Sequence, residues 1–143
     1  AVLGVFSAGL TWGTGYSAAR AMIIGVDAPL WFGPAKALAT TATAVAGLPG
    51  GIFAPSLAVG AGVGNLLHAV FPNDPAGAVV ILGMVAYFAG VVRAPLTAVI
   101  ILSETTVSRW LLLPMFATAF IADWASQLVC REKLYHGLSQ TFR

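Results

Sequence analysis

Apolar residues dominate this chain in runs that glycine, proline or a lone charge cuts short. Residues 1–11 are apolar and lead into Trp12-Gly13-Thr14-Gly15-Tyr16, a glycine-broken turn. Residues 17–24 form a short amphipathic stretch carrying Arg20, followed by the loop Gly25-Val26-Asp27-Ala28-Pro29. The pattern predicts a helix over 30–46, marked by Lys36 and a Thr40-Thr41-Ala42-Thr43 face. Gly47-Leu48-Pro49-Gly50-Gly51 stops it, because three glycines and a proline in five residues cannot continue a helix. A second long helix is expected over 52–71, with Gly60, Gly62 and Gly64 thinning one side, and Pro72-Asn73-Asp74-Pro75 as the surface turn after it. Residues 76–92 read as an apolar helix that Arg93-Ala94-Pro95 ends, and 96–105 as a shorter one. Arg109-Trp110 sits at an interface, 111–129 is the last long span, and a short amphipathic helix follows from Lys133.

Several of these runs fall short of the roughly 20 apolar residues that a simple membrane span requires. Hydrophobic segments interrupted by Gly and Pro are the sequence form of broken transporter helices. Such breaks persist in a bilayer only where protein packs on them or a polar cavity meets them. The fold class expected is all-α: a polytopic integral membrane protein with short, broken and tilted helices.

Composition sharpens this reading. Hydrophobic residues make up 59% and charged residues 8% of the chain, against about a quarter charged in soluble domains, so a soluble globular enzyme is excluded. Five acids and seven bases give a net charge of +2, too small and too scattered for a nucleic-acid partner. Arg131, Lys133 and Arg143 cluster after the last apolar run, which places the C-terminus in the cytoplasm by the positive-inside tendency. Cys130 is alone, so no disulfide framework is available within the chain. His68 and His136 have no partner at ligand spacing, and no metal site or cofactor is expected. There is no initiating Met and the first residues already read as mid-helix; a fragment is the expectation.

The candidate chemistry lies in residues 50–64, GGIFAPSLAVGAGVG, within a stretch from Ala37 to Asn73 that holds no Asp, Glu, Lys or Arg. Gly50 and Gly51 allow close approach and positive φ, and Pro55 falls in the first turn of the helix, where a missing N–H costs nothing. The amides of Ile52 and Phe53 can then point at a ligand, with the positive end of the helix dipole behind them. Helix N-termini are ready-made anion sites. Partial charges also hold an ion without trapping it, as conduction requires. A helix-packing turn whose amides meet neighbouring carbonyls explains the same spacing equally well.

Gly50-Gly51-Ile52-Phe53-Ala54-Pro55 resembles the signature of the CLC family of chloride channels and proton-chloride antiporters. Lys36 stands fourteen residues before Gly50, as a basic residue does in that family. Arg93-Ala94-Pro95-Leu96-Thr97 with Ser103-Glu104-Thr105 is similar to its RAPLT…E-x-T block, Leu113-Pro114-Met115 opens the next span, and Lys133-Leu134-Tyr135 is similar to its terminal element with one residue fewer. The resemblance covers the whole chain. It implies that residues 1–143 are the C-terminal part of a CLC-type transmembrane domain, most of the second of two inverted repeats, with the N-terminal half absent. It further implies a chloride ion coordinated by the amides of Ile52 and Phe53 and the hydroxyl of Tyr135, with Gly50, Gly51, Ala54 and Pro55 supporting the site. The family's GSGIP-like and GREGP-like loops, the gating glutamate and the inner glutamate lie upstream of these residues, so channel and proton-coupled exchanger stay open. Expected partners are chloride, protons in exchanging members, the lipid bilayer and a second copy in a homodimer, at the cell membrane. A non-transporting scaffold or truncated paralogue and a fluoride-selective relative are the alternatives. Transport involves no covalent chemistry, so no catalytic residue is assigned.

Other polar residues have bland readings. Lys36 can bias the local potential toward anions, though a snorkelling side chain is simpler. Glu104 and Asp123 are acids among aliphatics and functional candidates by default. A structural role for Glu104 and pairing inside the bundle for Asp123 are the simpler accounts. Gly60-Ala61-Gly62-Val63-Gly64 lacks the GxGxxG spacing and a preceding strand, so it reads as a small-residue face for helix contact.

Overall fold

Prolines and glycines set where each helix begins and ends. The computed structural model describes residues 5, 13–26, 28–46, 53–106 and 109–129. Among these residues the secondary structure is helical throughout: α1 (Tyr16–Ile23), α2 (Phe32–Val45), α3 (Phe53–Val70), α4 (Ala76–Val92), α5 (Pro95–Thr105), a 3-10 turn (Arg109–Leu111) and α6 (Leu112–Val129). The breaks fall where the sequence pattern expects them. The apolar run from residue 30 becomes helical only at Phe32, because the Phe32 N–H donates to the Pro29 carbonyl at 2.9 Å in a preceding turn. Pro34, Pro55 and Pro114 each occupy the third position of their helix and Pro95 the first, where the ring displaces no intrahelical hydrogen bond. α1 stops in a Schellman arrangement: Gly25, at φ 87°, donates to Met22 O, and Val26 to Ala21 O. The expected helices at 1–11 and from Lys133 lie outside the described residues, apart from Val5.

The chain divides within α4 into two compact units, residues 1–84 and 85–143. In the first, α1 and α2 both pack on α3. Phe32, Ala58, Val59, Ala61 and Val80 are among its buried residues. The α2–α3 crossing is backbone against backbone: a Cβ placed on Gly62 would stand 2.4 Å from the Cα of Gly33. On the other side of α3, a Cβ on Gly83 would stand 2.6 Å from the Cα of Gly64 and 2.7 Å from the Gly60 carbonyl oxygen. The glycine run in α3 therefore does serve close helix contact, but on two faces rather than one. Residues two apart in a helix lie about 200° apart, so Gly62 meets α2 while Gly60 and Gly64 meet α4.

In the second unit α5 packs on α6, with Val99, Leu102, Leu111 and Met115 buried. α4 ends at Arg93, whose N–H donates to Ala89 O at 2.8 Å while its own φ is 56°. A non-glycine residue in this left-handed region carries a steric cost. Asp123 of α6 faces the Arg93 guanidinium, Oδ1 to Nε 3.9 Å, and accepts from Gln127 Nε2 at 2.9 Å. Ser126 Oγ donates to the Gly90 carbonyl at 2.7 Å. The pairing expected for Asp123 is present, and the end of α4 is gripped by one face of α6. Glu104 is exposed at the end of α5.

Two stability outcomes are expected, read by thermal melting of the complete protein in detergent. Gly62→Ala forces α2 and α3 apart and lowers stability by about 1–3 kcal/mol; an unchanged melt removes the backbone crossing from the packing argument. Arg93→Gly and Arg93→Ala lose the same ionic contact, but only Gly relieves the positive φ, so the Gly variant melts higher, by about 1 kcal/mol of stability. Equal melts show that the break relaxes without strain.

Candidate functional site

The start of α3 is built from the residues that the sequence singled out. Phe53 is the first helical residue, Ala54 the second and Pro55 the third. Helix geometry leaves first-turn amides outside the i→i−4 ladder, and Pro55 contributes no N–H there at all. The helix end therefore presents the amides of positions 53 and 54, with the α3 dipole directed along them. Phe53 is 43% exposed and Ala54 is exposed. Ser56, one position further, is 1% exposed and anchors the turn in the packed body of the helix. Gly50, Gly51, Ile52 and Tyr135 lie outside the described residues.

The body of α3 is pinned on both sides. Besides the glycine crossings, Asn65 Nδ2 donates to Ala28 O at 3.1 Å and ties the loop after α1 to α3. Lys36 corrects the simpler expectation. Its side chain does not snorkel: the residue is 2% exposed and the ammonium donates to the Gly13 carbonyl at 2.7 Å. A buried charge is held where a polar group receives it, and here the receiver is the glycine turn before α1. Gly15 makes room for this arrangement. Its φ is 74°, and a Cβ on it would meet Ala58 Cβ at 2.8 Å and Lys36 Cε at 3.2 Å.

The threonine face of α2 splits. Thr41 and Thr43 donate to the carbonyls of Ala37 and Ala39, each at 2.8 Å. The Thr40 hydroxyl oxygen is buried with no hydrogen-bond partner among the described residues. Sequence reasoning missed the Gly13–Lys36 and Ala28–Asn65 links. The Gly13-Thr14-Gly15 spacing is the signal that could have pointed to the first; nothing in the sequence marks Ala28. No cluster of His, Cys, Asp or Glu that could hold a metal occurs among the described residues.

The family model described as voltage gated chloride channel matches residues 1–127. The chain belongs to the voltage gated chloride channel family. Similar proteins carry the name H(+)/Cl(-) exchange transporter ClcA: one from Citrobacter koseri is 39% identical over 107 residues, 71% of this chain and 23% of that protein. One from Yersinia pestis bv. Antiqua is 37% identical over 110 residues, 73% of this chain and 23% of that protein. One from Klebsiella pneumoniae is 38% identical over 112 residues, 74% of this chain and 24% of that protein. The chain thus spans about a quarter of the length of these relatives. As a chloride channel family member it is a polytopic membrane chain. α3 and the segment 109–129 are long and apolar enough to cross a bilayer, whereas α4 and α5 are apolar but shorter.

Lys36→Met retains most of the side-chain volume and removes the donor to Gly13. The expected loss is about 1.5 kcal/mol, typical of a hydrogen bond to a charged group, measured by thermal melting of the complete protein. A variant as stable as the parent shows that the ammonium does not hold the glycine turn.

Proposed function

We propose that the protein carrying this chain moves chloride across the cell membrane, and that residues 1–143 form the C-terminal part of its transmembrane domain. The observation that carries this reading is the start of α3 at Phe53, two residues after Gly51, with Pro55 inside the first turn. The ion is held by the amides of Ile52 and Phe53 and by the hydroxyl of Tyr135, with Gly50, Gly51, Ala54 and Pro55 shaping the turn. Each donor carries a partial charge, so together they replace part of the ion's hydration shell yet release it without separating a full ion pair. The tight glycine crossings of α3 support a fixed position for these amides, and a preorganised donor set binds without reordering. No bond is made or broken, and no catalytic residue or cofactor takes part. The names of the similar proteins favour exchange of chloride against protons over passive conduction. The carboxylates that such coupling requires are assigned to parts of the protein outside this chain. The protein works as a homodimer with its C-terminus in the cytoplasm.

The test is chloride efflux from liposomes containing the complete protein, with internal pH recorded at the same time. Chloride efflux accompanied by proton uptake is expected. Tyr135→Phe removes one hydrogen bond to a charged partner and weakens chloride binding by roughly tenfold. Unchanged chloride affinity together with unchanged anion selectivity in that variant removes Tyr135 from the site.

A further inference from the structure

Close contacts hold α3 at two levels. At Gly60, Gly62 and Gly64 it meets the backbones of α2 and α4, and nearer its start it meets the glycine turn before α1. Lys36 lies three positions after Gly33 on α2, and Ala58 four positions before Gly62 on α3, so each stands about one turn from the Gly33–Gly62 crossing. Gly15 is close to both: a Cβ on it would be 2.8 Å from Ala58 Cβ, 3.2 Å from Lys36 Cε and 3.6 Å from Lys36 Nζ. The Lys36 ammonium donates to the Gly13 carbonyl at 2.7 Å, which draws this turn, and Gly15 with it, against Ala58. Lys36 is 2% and Ala58 1% exposed, and further chain packed around them can only deepen that burial. The glycine crossings oppose sliding and rotation of α3, whereas tilt about them is opposed by a contact nearer the end. Nine residues separate Gly62 from Phe53, so a tilt of about 5° about Gly62 carries the first-turn amides by about 1 Å. Good N–H donor distances span only about 0.5 Å. A tilt that small is enough to spoil them.

We propose that Lys36 is a positioning residue for anion selection: through Gly13 and Gly15 it holds the first turn of α3 at one tilt, and so sets the size of anion that the amides there receive. The inference rests on the chloride reading given above. Donors held at fixed spacing favour the anion whose radius fits them, and donors free to move adapt to a larger, more weakly hydrated one. This role is separable from that of a bare charge. A buried ammonium acts alike on every monovalent anion at one position, whereas donor spacing tells such anions apart.

The test is calorimetric titration of the complete protein in detergent with sodium chloride and with sodium thiocyanate, a larger anion of the same charge. Lys36→Met weakens chloride binding roughly tenfold and thiocyanate binding less, so the ratio of the two affinities falls by roughly threefold or more. Lys36→Arg, which keeps a cationic donor for Gly13, retains the parent's ratio. Lys36→Gln is neutral but still carries an N–H donor; it lowers the ratio less than Lys36→Met does, and it carries the comparison if the Met variant does not fold. A ratio that stays at the parent's value in the neutral variants overturns the proposal, even where both affinities fall, because a common fall is the mark of charge alone. A ratio as low in Lys36→Arg as in Lys36→Met overturns it too, since the donor to Gly13 is then not what matters. A parent that binds neither anion removes the chloride reading and this role with it, whereas a parent that binds chloride, with an unmoved ratio in the variants, removes the role alone.

Discussion

Backbone-to-backbone packing of α3 is the constraint on which the first unit depends. Gly33 against Gly62 on one side, and Gly83 against Gly60 and Gly64 on the other, leave no room for even a methyl group. In lipid there is no hydrophobic force between helices, so association rests on close van der Waals contact. Small residues supply that contact where larger ones would hold the helices apart. The consequence reaches the end of the helix. A helix clamped along its length cannot rotate or slide without losing both crossings, so its first turn, at Phe53, Ala54 and Pro55, is held in place by contacts well removed from it.

The second theme is how broken helices satisfy their backbone groups. At three places outside or at the end of a helix, a side chain from another element donates to a backbone carbonyl. Lys36 reaches Gly13, Asn65 reaches Ala28 and Ser126 reaches Gly90. In a medium without water each such carbonyl costs several kcal/mol if left alone. These polar residues therefore look out of place in an apolar sequence and yet are the reason its interruptions are tolerated. The Arg93 elbow follows the same rule. A left-handed residue between α4 and α5 stands beside Asp123, on the α6 face that also supplies Ser126 to the end of α4.

Much of the helix pattern was legible because Pro and Gly act locally. Pro95 at the start of α5, Pro114 in the first turn of α6 and Gly25 at the end of α1 impose their effects through their own φ and N–H, whatever packs around them. The approximate extent of α3 and the place of Pro55 within it were readable for that reason. Lys36 was not. From the sequence, a lysine on an apolar helix is as well explained by a head reaching water as by a buried bond, and the choice depends on whether an acceptor stands nearby. Gly13, far earlier in the chain, is that acceptor.

The division between the two sources of information is the division between short-range and long-range forces. The sequence by itself determined that the chain is helical, apolar and interrupted, and that a glycine pair precedes a helix with proline in its first turn, because these properties come from single residues and their neighbours. Only the tertiary structure decided that Gly62 faces α2 while Gly60 and Gly64 face α4, that Lys36 is buried on Gly13, and that Asp123 stands against Arg93. Each of these pairs residues that are distant along the chain, and the sequence records their identity but carries no term for their separation in space.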